Sequence, residues 1–267
     1  MFFKRTPQLQ PLPDIPVWTA MDRVEPWLTS MALLSSDRLV VGDYINQSVK
    51  LVDVVQGKVL HQLEVGSIPW RVCSLPGPRA AVTLPAEKRI IILNCGNQLS
   101  VVNTITVHGC CEEVAYSNDH LIVLYTQPSR IEILTMNGGV VKQRDLELSK
   151  TYLYNYLSVI AEDNVTSVYV GDDDSRRILR LDEDLQEQQV YPVPGRAKPQ
   201  GVLAVGENQL LVNDNNGRLW QLDSTMGRWT LLKQGEWFGF AYSMAFCHER
   251  NNLYWDGFEE VKRYAIS

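Results

Sequence analysis

A short apolar run recurs six times along this chain at nearly equal spacing. The residues that directly follow these runs are Asp43, Leu84, Thr126, Asp172, Asp214 and Asp256. The intervals between these positions are 41, 42, 46, 42 and 42 residues. A repeat of about 42 residues that is built from short strands is typical of a propeller blade. Because such blades bury their faces only against neighbouring blades, six repeats predict one closed ring.

Each repeat divides into four short strands. In the first repeat the strands are expected at Leu28–Leu34, Arg38–Gly42, Ser48–Asp53 and Lys58–Val65, with polar or glycine-containing turns between them. No long stretch has the 3.6-residue apolar periodicity of a helix. The predicted fold class is therefore all-β, a six-bladed β-propeller.

The sixth repeat stops after three strands, so its fourth strand has to come from elsewhere in the chain. Ile15–Asp22 precedes Trp27 by the same offset at which Lys58–Val65 precedes Trp70, and we expect it to close the ring. The proline-rich residues 1–14 are expected to form an extended lead. The predicted organisation is a lead at 1–14 and a single propeller at 15–267.

Composition narrows the possible partners and the cellular compartment. The net charge of −6 and the sequence pI of about 5.3 disfavour general nucleic-acid binding, which requires a strongly basic surface. The sequence contains neither an apolar run of membrane-spanning length nor a secretory signal, and its five cysteines form no C-x-x-C pair. We therefore expect reduced thiols, a cytoplasmic protein and no membrane association. Use of the glycosylation sequons at Asn46 and Asn164 stays open.

Three turn segments resemble NHL repeats: Gly42–Asp53, Gly171–Asp182 and Asn213–Asp223. Pro69–Cys73 together with Ala80–Pro85 is similar to a stretch of invertebrate tripartite-motif-like proteins. That resemblance implies the C-terminal substrate-recognition domain of a ubiquitin ligase. The zinc-binding RING that ligase activity requires is absent from this sequence, and a coiled coil for oligomerisation would belong to a longer parent.

The repeated aspartates have two interpretations. An Asp at the end of a strand accepts hydrogen bonds from turn amides, which is a structural role. Alternatively, Asp172, Asn213, Asp214 and Asp256 converge on calcium, as in lactonase-type propellers. No nucleophile motif and no zinc-protease pair occurs. We expect no catalysis, no metal and no cofactor.

Blade geometry predicts one face that carries both the turns between second and third strands and the connections between blades. The aromatic and basic residues expected there are Tyr44, Trp70, Arg71, Arg89, Arg130, Tyr154, Tyr156, Arg176, Arg177, Lys198, Trp237 and Phe238. Trp, Tyr and Arg dominate interface hot spots, so the predicted ligand is a protein or peptide segment. Unpaired RNA bases are the alternative ligand for the same face.

The 46-residue interval locates an insertion between the third and fourth repeats, Lys150–Tyr156. Since insertions in repeat proteins map to loops, we expect Tyr154 and Tyr156 to form a binding hot spot flanked by Arg130 and Arg176. The alternative is that Tyr156 fills a gap between blades. Trp18 is expected to act on stability, from within the closing strand.

Overall fold

The computed structural model describes residues 8–148, 155–162, 165–206, 208–234, 243–257 and 259–267. Its strands form six four-stranded antiparallel sheets, and each sheet is one blade of a ring. The predicted six-bladed β-propeller is confirmed.

The first three blades follow one another along the chain, and their strands run from innermost to outermost. Blade 1 comprises β2 (Leu28–Ser35), β3 (Arg38–Asp43), β4 (Ser48–Asp53) and β5 (Lys58–Glu64). Blade 2 comprises β6 (Val72–Leu75), β7 (Arg79–Leu84), β8 (Arg89–Cys95) and β9 (Leu99–Thr106), with a single 3-10 turn at Pro85–Glu87. Blade 3 comprises β10 (Cys111–Ser117), β11 (His120–Thr126), β12 (Ser129–Thr135) and β13 (Val140–Asp145).

The last three blades close the ring. Blade 4 comprises β14 (Asn155–Glu162), β15 (Val165–Asp172), β16 (Arg177–Leu181) and β17 (Glu187–Pro192). A second 3-10 turn, Pro194–Arg196, leads to blade 5, which comprises β18 (Pro199–Gly206), β19 (Gln209–Asp214), β20 (Arg218–Asp223) and β21 (Arg228–Gln234). Blade 6 comprises β22 (Met244–Cys247), β23 (Asn252–Gly257), β24 (Glu260–Ile266) and, as its outermost strand, β1 (Leu9–Pro16).

The hydrophobic core lies between the blades. The buried apolar residues form six clusters, and each cluster joins two neighbouring blades. The cluster that closes the ring combines Ile15 and Val17 from the N-terminal segment with Leu28 of blade 1 and Tyr254 of blade 6. Alternating apolar residues on both faces of each sheet make this packing possible, because every blade has two neighbours.

The closing strand is N-terminal as predicted, but it lies earlier in the sequence than we expected. Leu9 pairs with Ile266 and Pro16 with Glu260, so the strand is Leu9–Pro16 and the prediction of Ile15–Asp22 is wrong. Residues 9–14, which were expected to belong to the lead, are part of the propeller. The prediction placed the closing strand by its distance in sequence from Trp27. The connection from the closing strand to blade 1 is longer than the connections between the other blades, so that distance was misleading. Prolines are tolerated in β1 because this outermost strand has one edge free of partners in its sheet.

Residues 17–27 instead form a connector from β1 to blade 1. Lys50 Nζ donates to Val17 O at 3.0 Å and contacts Asp22 Oδ2 and Asp43 Oδ2, both at 2.8 Å. All three charged side chains are fully buried. Trp18 lies on this connector with 52% of its surface exposed, so the prediction that it belongs to the closing strand is wrong.

Among the described residues, no helix is long and apolar enough to cross a membrane. All five cysteines are free thiols, and burial raises the pKa of Cys73 and Cys111 to about 12.

Candidate functional site: the top face and the channel mouth

The turns between second and third strands lie beside the connections between blades, as blade geometry requires. Tyr44 N donates to Trp27 O at 2.8 Å, and Val193 N donates to Arg176 O at 2.9 Å. Asn215 N donates to Lys198 O at 3.0 Å in the same arrangement. We call the side of the ring that carries these segments the top face.

Three aromatic side chains gather at the top of blade 1. The ring of Tyr44 lies 5.7 Å from that of Trp27 and 6.1 Å from that of Trp70, the latter edge-on. Trp27 is 38% exposed, and Tyr44 and Trp70 are half-buried. This rim cluster (Trp27, Tyr44 and Trp70) joins two predicted face residues to one that the prediction missed. Trp27 precedes the first repeat as Trp70 precedes the second, and that correspondence could have revealed it.

The backbone around the rim cluster is held in place by Asp43 and Asn46. Asp43 Oδ1 accepts from Trp27 N at 3.1 Å, while Asn46 Nδ2 donates to Val24 O at 2.9 Å. Val24 and Ile45 are exposed by 48% and 40%. The connector and the first top turn of blade 1 therefore present apolar side chains on a rigidly bonded backbone.

Most of the predicted basic face residues are already paired with carboxylates. The N···O distances are 3.2 Å for Arg89–Glu87, 2.9 Å for Arg130–Glu132, 3.2 Å for Arg177–Asp172, and 2.9 and 2.8 Å from Lys198 to Asp173 and Asp174. Arg71 pairs with Glu113, and Arg176 is exposed. These pairs neutralise the basic side chains locally, so they do not form the continuous positive face that RNA binding would require.

The innermost strands of all six blades surround a channel of about 330 Å³. Going from the top face downwards, each strand contributes four consecutive residues to the channel wall. The uppermost wall residue of each blade lies in the innermost strand or just before it, and these six residues, which are mostly polar, form the channel mouth: Ser30, Arg71, Glu113, Tyr156, Gly201 and Ser243. The next ring is apolar: Met31, Val72, Val114, Leu157, Val202 and Met244. The polar groups of the channel are thus concentrated at its top end.

Serines at the mouth bridge neighbouring blades. Ser30 Oγ accepts from Val72 N at 3.0 Å, and Ser243 Oγ accepts from Met31 N at 3.0 Å. The second bond joins the last blade to the first. These serines satisfy backbone amides of the inner strands, which is a structural role.

The centre of the mouth is a buried ion pair. Arg71 Nε donates to Glu113 Oε1, Arg71 Nη1 donates to Thr29 O at 2.8 Å, and the guanidinium lies 5.4 Å from the ring centre of Tyr156. Burial raises the pKa of Glu113 to about 7, although Arg71 opposes this shift. Burial also raises the pKa of Glu112, whose Oε1 accepts from Thr126 Oγ1 at 2.9 Å. Glu113 was not predicted, although it follows Arg71 by one repeat interval.

Tyr156 does not form the predicted exposed hot spot. Its side chain is 2% exposed, so it is buried as the alternative expected, but it lines the channel mouth instead of a gap between two blades. Arg130 forms an ion pair with Glu132, and its guanidinium carbon lies 4.7 Å from the ring centre of Tyr125. An open cavity of about 780 Å³ does exist between blades 3 and 4, lined by Thr126–Ser129, Asp145–Leu148 and Ser175. Tyr154, Trp237 and Phe238 lie outside the described residues.

The repeated aspartates cap turns, as the structural interpretation predicted. Asp214 Oδ1 accepts from Asn216 N at 2.8 Å and Arg218 N at 3.1 Å, and its Oδ2 accepts from Trp220 Nε1 at 2.8 Å. Asp172 Oδ1 accepts from Ser175 N at 3.3 Å. Within the described part of the chain, no group of three or more His, Cys, Asp or Glu residues is arranged to hold a metal ion.

Solved structures resemble the whole ring. Virginiamycin B lyase from Staphylococcus aureus superposes with a TM-score of 0.68 at 11% identity, covering 98% of this chain and 88% of the lyase chain. A structural genomics protein of unknown function from Bacteroides thetaiotaomicron superposes with a TM-score of 0.76 at 13% identity, covering 96% and 72%. The likeness is one of fold alone. No protein-family model and no curated protein matches the sequence. A propeller of this kind is consistent with a binding or recognition module.

Proposed function

We propose that this propeller is a non-catalytic recognition domain that binds a protein or peptide segment on its top face. The observation that carries the proposal is the rim cluster. Tyr44 lies between Trp27 and Trp70 in ring contact with each, and all three side chains keep part of their surface in water. Aromatic rings with a rigid backbone lose little conformational entropy on binding and bury a large area.

The surroundings of the rim cluster favour an apolar or amphipathic ligand. Val24 and Ile45 are exposed beside it in the sequence, and the paired basic residues add little net charge. Arg71 follows Trp70 directly, but it is 5% exposed and held by Glu113. Within this proposal the rim cluster supplies affinity, and Arg71 and Glu113 keep the underlying strands in position.

A narrower form of the proposal makes the domain the substrate-binding part of a tripartite-motif-type ubiquitin ligase. Its support is the resemblance of Gly42–Asp53 and two later turn segments to NHL repeats. The wider proposal of peptide recognition does not depend on that resemblance, because it rests on the geometry of blade 1.

Selection from a displayed library of random peptides on the immobilised propeller tests the proposal. We expect enriched sequences with apolar residues, whose affinity is then measured by calorimetry against variants. Tyr44→Ala and Trp27→Ala should each weaken binding by about 1–3 kcal/mol.

Met226→Ala is the matched control, since Met226 is 64% exposed on a turn between the third and fourth strands of blade 5, at the opposite face. It should leave affinity unchanged. Failure to enrich any peptide, or equal binding by Tyr44→Ala and the parent protein, would remove the proposal. Retention of single-stranded RNA that weakens steeply with salt would favour the RNA alternative instead.

A further inference from the structure

Two exposed carboxylates, those of Glu25 and Glu259, lie close together on the top face. Glu25 belongs to the connector, and Glu259 lies on the turn between the second and third strands of blade 6. Val17 N donates to Glu259 O at 3.2 Å, so this turn is bonded to the connector. The side-chain carboxyls of Glu25 and Glu259 are within hydrogen-bonding distance of each other, and this contact raises the pKa of Glu259.

Other carboxylates in this part of the molecule are matched by basic side chains. The described ion pairs join Arg23 to Glu64, Lys50 to Asp22 and Asp43, and Lys262 to Asp14 and Glu260. In contrast, the charges that raise the pKa of Glu259 are those of Glu25 and Glu260, which are both carboxylates. Among the described residues, no basic side chain forms an ion pair with Glu25 or Glu259, so a cation placed between them would relieve their repulsion.

This pair of carboxylates borders the rim cluster, because Glu25 and Trp27 present their side chains on the same side of the connector. Pro26 disfavours a helical backbone at Glu25, and alternate residues of an extended chain point to the same side. The burial of the segment follows this alternation, since Glu25 and Trp27 are exposed while Pro26 and Leu28 are buried. Two residues of extended chain span about 7 Å, so the carboxylate of Glu25 lies beside the ring of Trp27.

We propose that the segment bound by the rim cluster carries an arginine, whose guanidinium stacks on Trp27 and donates to Glu25 and Glu259. This inference rests on the proposed function and adds the charge of the ligand to it. A guanidinium suits the site better than an ammonium, because its planar fork binds carboxylates through paired hydrogen bonds and also stacks on aromatic rings. The same two carboxylates repel an acidic segment and the phosphates of RNA.

Selection from a displayed library of random peptides on the immobilised propeller gives the first test. The enriched peptides should share an arginine next to apolar residues. The strongest of them is then synthesised with citrulline in place of that arginine, because citrulline keeps the shape of the side chain and removes its charge. Calorimetry should show a rise of about tenfold in the dissociation constant for the citrulline peptide and a smaller rise for a lysine peptide.

Variants of the propeller identify the partners of the arginine. Glu25→Gln and Glu259→Gln should each raise the dissociation constant of the arginine peptide by about three- to tenfold and leave that of the citrulline peptide unchanged. Both variants should melt no lower than the parent, since each removes a like-charge contact. Glu249→Gln is the matched control, because Glu249 is exposed on the turn between the first and second strands of blade 6, at the opposite face. It should bind as the parent does.

The outcomes separate this inference from the proposed function. Enriched peptides that lose affinity in Tyr44→Ala but contain no arginine would overturn the inference and leave the proposed function in place. The same conclusion would follow if Glu25→Gln and Glu259→Gln bound the arginine peptide as tightly as the parent. Failure to enrich any peptide would remove both.

Discussion

Arg71 and Glu113 show how one repeat interval brings two charges together. The residues lie one repeat apart, at the start of neighbouring inner strands, and their ion pair joins blade 2 to blade 3. Both side chains are at most 7% exposed, so water contributes little to their solvation. Removing one partner of such a buried pair lowers the free energy of unfolding by more than the intact pair contributes to it, because the other charge is left buried and unpaired.

The raised pKa of Glu113 predicts a dependence of stability on pH. In the folded chain this carboxyl binds a proton up to about pH 7, whereas its ordinary pKa is 4.5. Between pH 4.5 and about pH 7 the folded chain therefore holds a proton on Glu113 that the unfolded chain has lost. The contribution of this group to the free energy of unfolding is fully present below pH 4.5 and is lost as the pH rises through about 7. The charged groups that act on it are Arg71 and Glu112, and Tyr156 and Asp256 act on Arg71 in turn.

Urea unfolding of the parent chain and of Glu113→Gln at a series of pH values measures this effect. The parent should lose stability across the window, and the variant should have a flatter slope. Equal slopes would show that Glu113 does not titrate there, and an NMR titration of its side-chain carboxyl would check the same point directly.

A second prediction at this scale concerns Tyr156. Its ring is 2% exposed, contacts Arg71 and lies against Gly171, where an added Cβ would come within 3.4 Å of Tyr156 Cβ. Tyr156→Ala should lower the free energy of unfolding by about 3–5 kcal/mol because it leaves a cavity. Tyr156→Phe keeps the ring and should cost much less. A urea midpoint for Tyr156→Ala that equals the parent value would mean that the side chain is not part of the core.

At the scale of elements, the N-terminal segment closes the ring twice. β1 completes the sheet of blade 6, and the connector that follows it is bound to blade 1 by Lys50. The two attachments lie on opposite sides of the junction between the last and first blades. Closure therefore depends on a short strand and on a buried charge cluster to which the following connector contributes Asp22.

Deletion of residues 1–16 should expose the edge of β24 and remove part of the cluster around Ile15. We expect a marked drop in melting temperature together with aggregation. Deletion of residues 1–7, which leaves β1 intact, is the control. An unchanged melting temperature after the longer deletion would contradict the role of β1 in closure.

At the scale of the whole molecule, the polar ring of the channel and the aspartate-capped turns serve the fold. Asp214 accepts hydrogen bonds from Asn216 N, Arg218 N and Trp220 Nε1, and Asp172 accepts one from Ser175 N. A calcium ion would have to displace these bonds. The propeller is therefore expected to resemble lactonase-type propellers in fold without sharing their metal.

Added calcium should leave the melting temperature unchanged. Asp214→Ala should lower stability by about 1–3 kcal/mol, equally with and without calcium, because it leaves turn amides without their acceptor. Thermal unfolding of both proteins with calcium and with a chelator measures this. A strong stabilisation by calcium that disappears in Asp214→Ala would restore the metal-site interpretation.

The sequence alone was sufficient for the number of blades, their strand order and the structural role of the aspartates. These properties follow from local periodicity and turn chemistry, which repeat at each interval and are thus visible without tertiary contacts. The top face was also predictable, because blade geometry places Tyr44 and Trp70 there whatever their neighbours are.

Only the tertiary structure decided which of those residues remain available. Whether Arg71 and Lys198 are free or paired depends on carboxylates that lie far from them in the sequence, Glu113 on the next blade and Asp173 and Asp174 on a neighbouring turn. Tyr156 is buried because the ring closes around it, and the position of β1 is set by its pairing with β24, while Val17 at its end is bonded to Lys50 of blade 1. Local pattern determines the blade, whereas burial and pairing are properties of the closed ring.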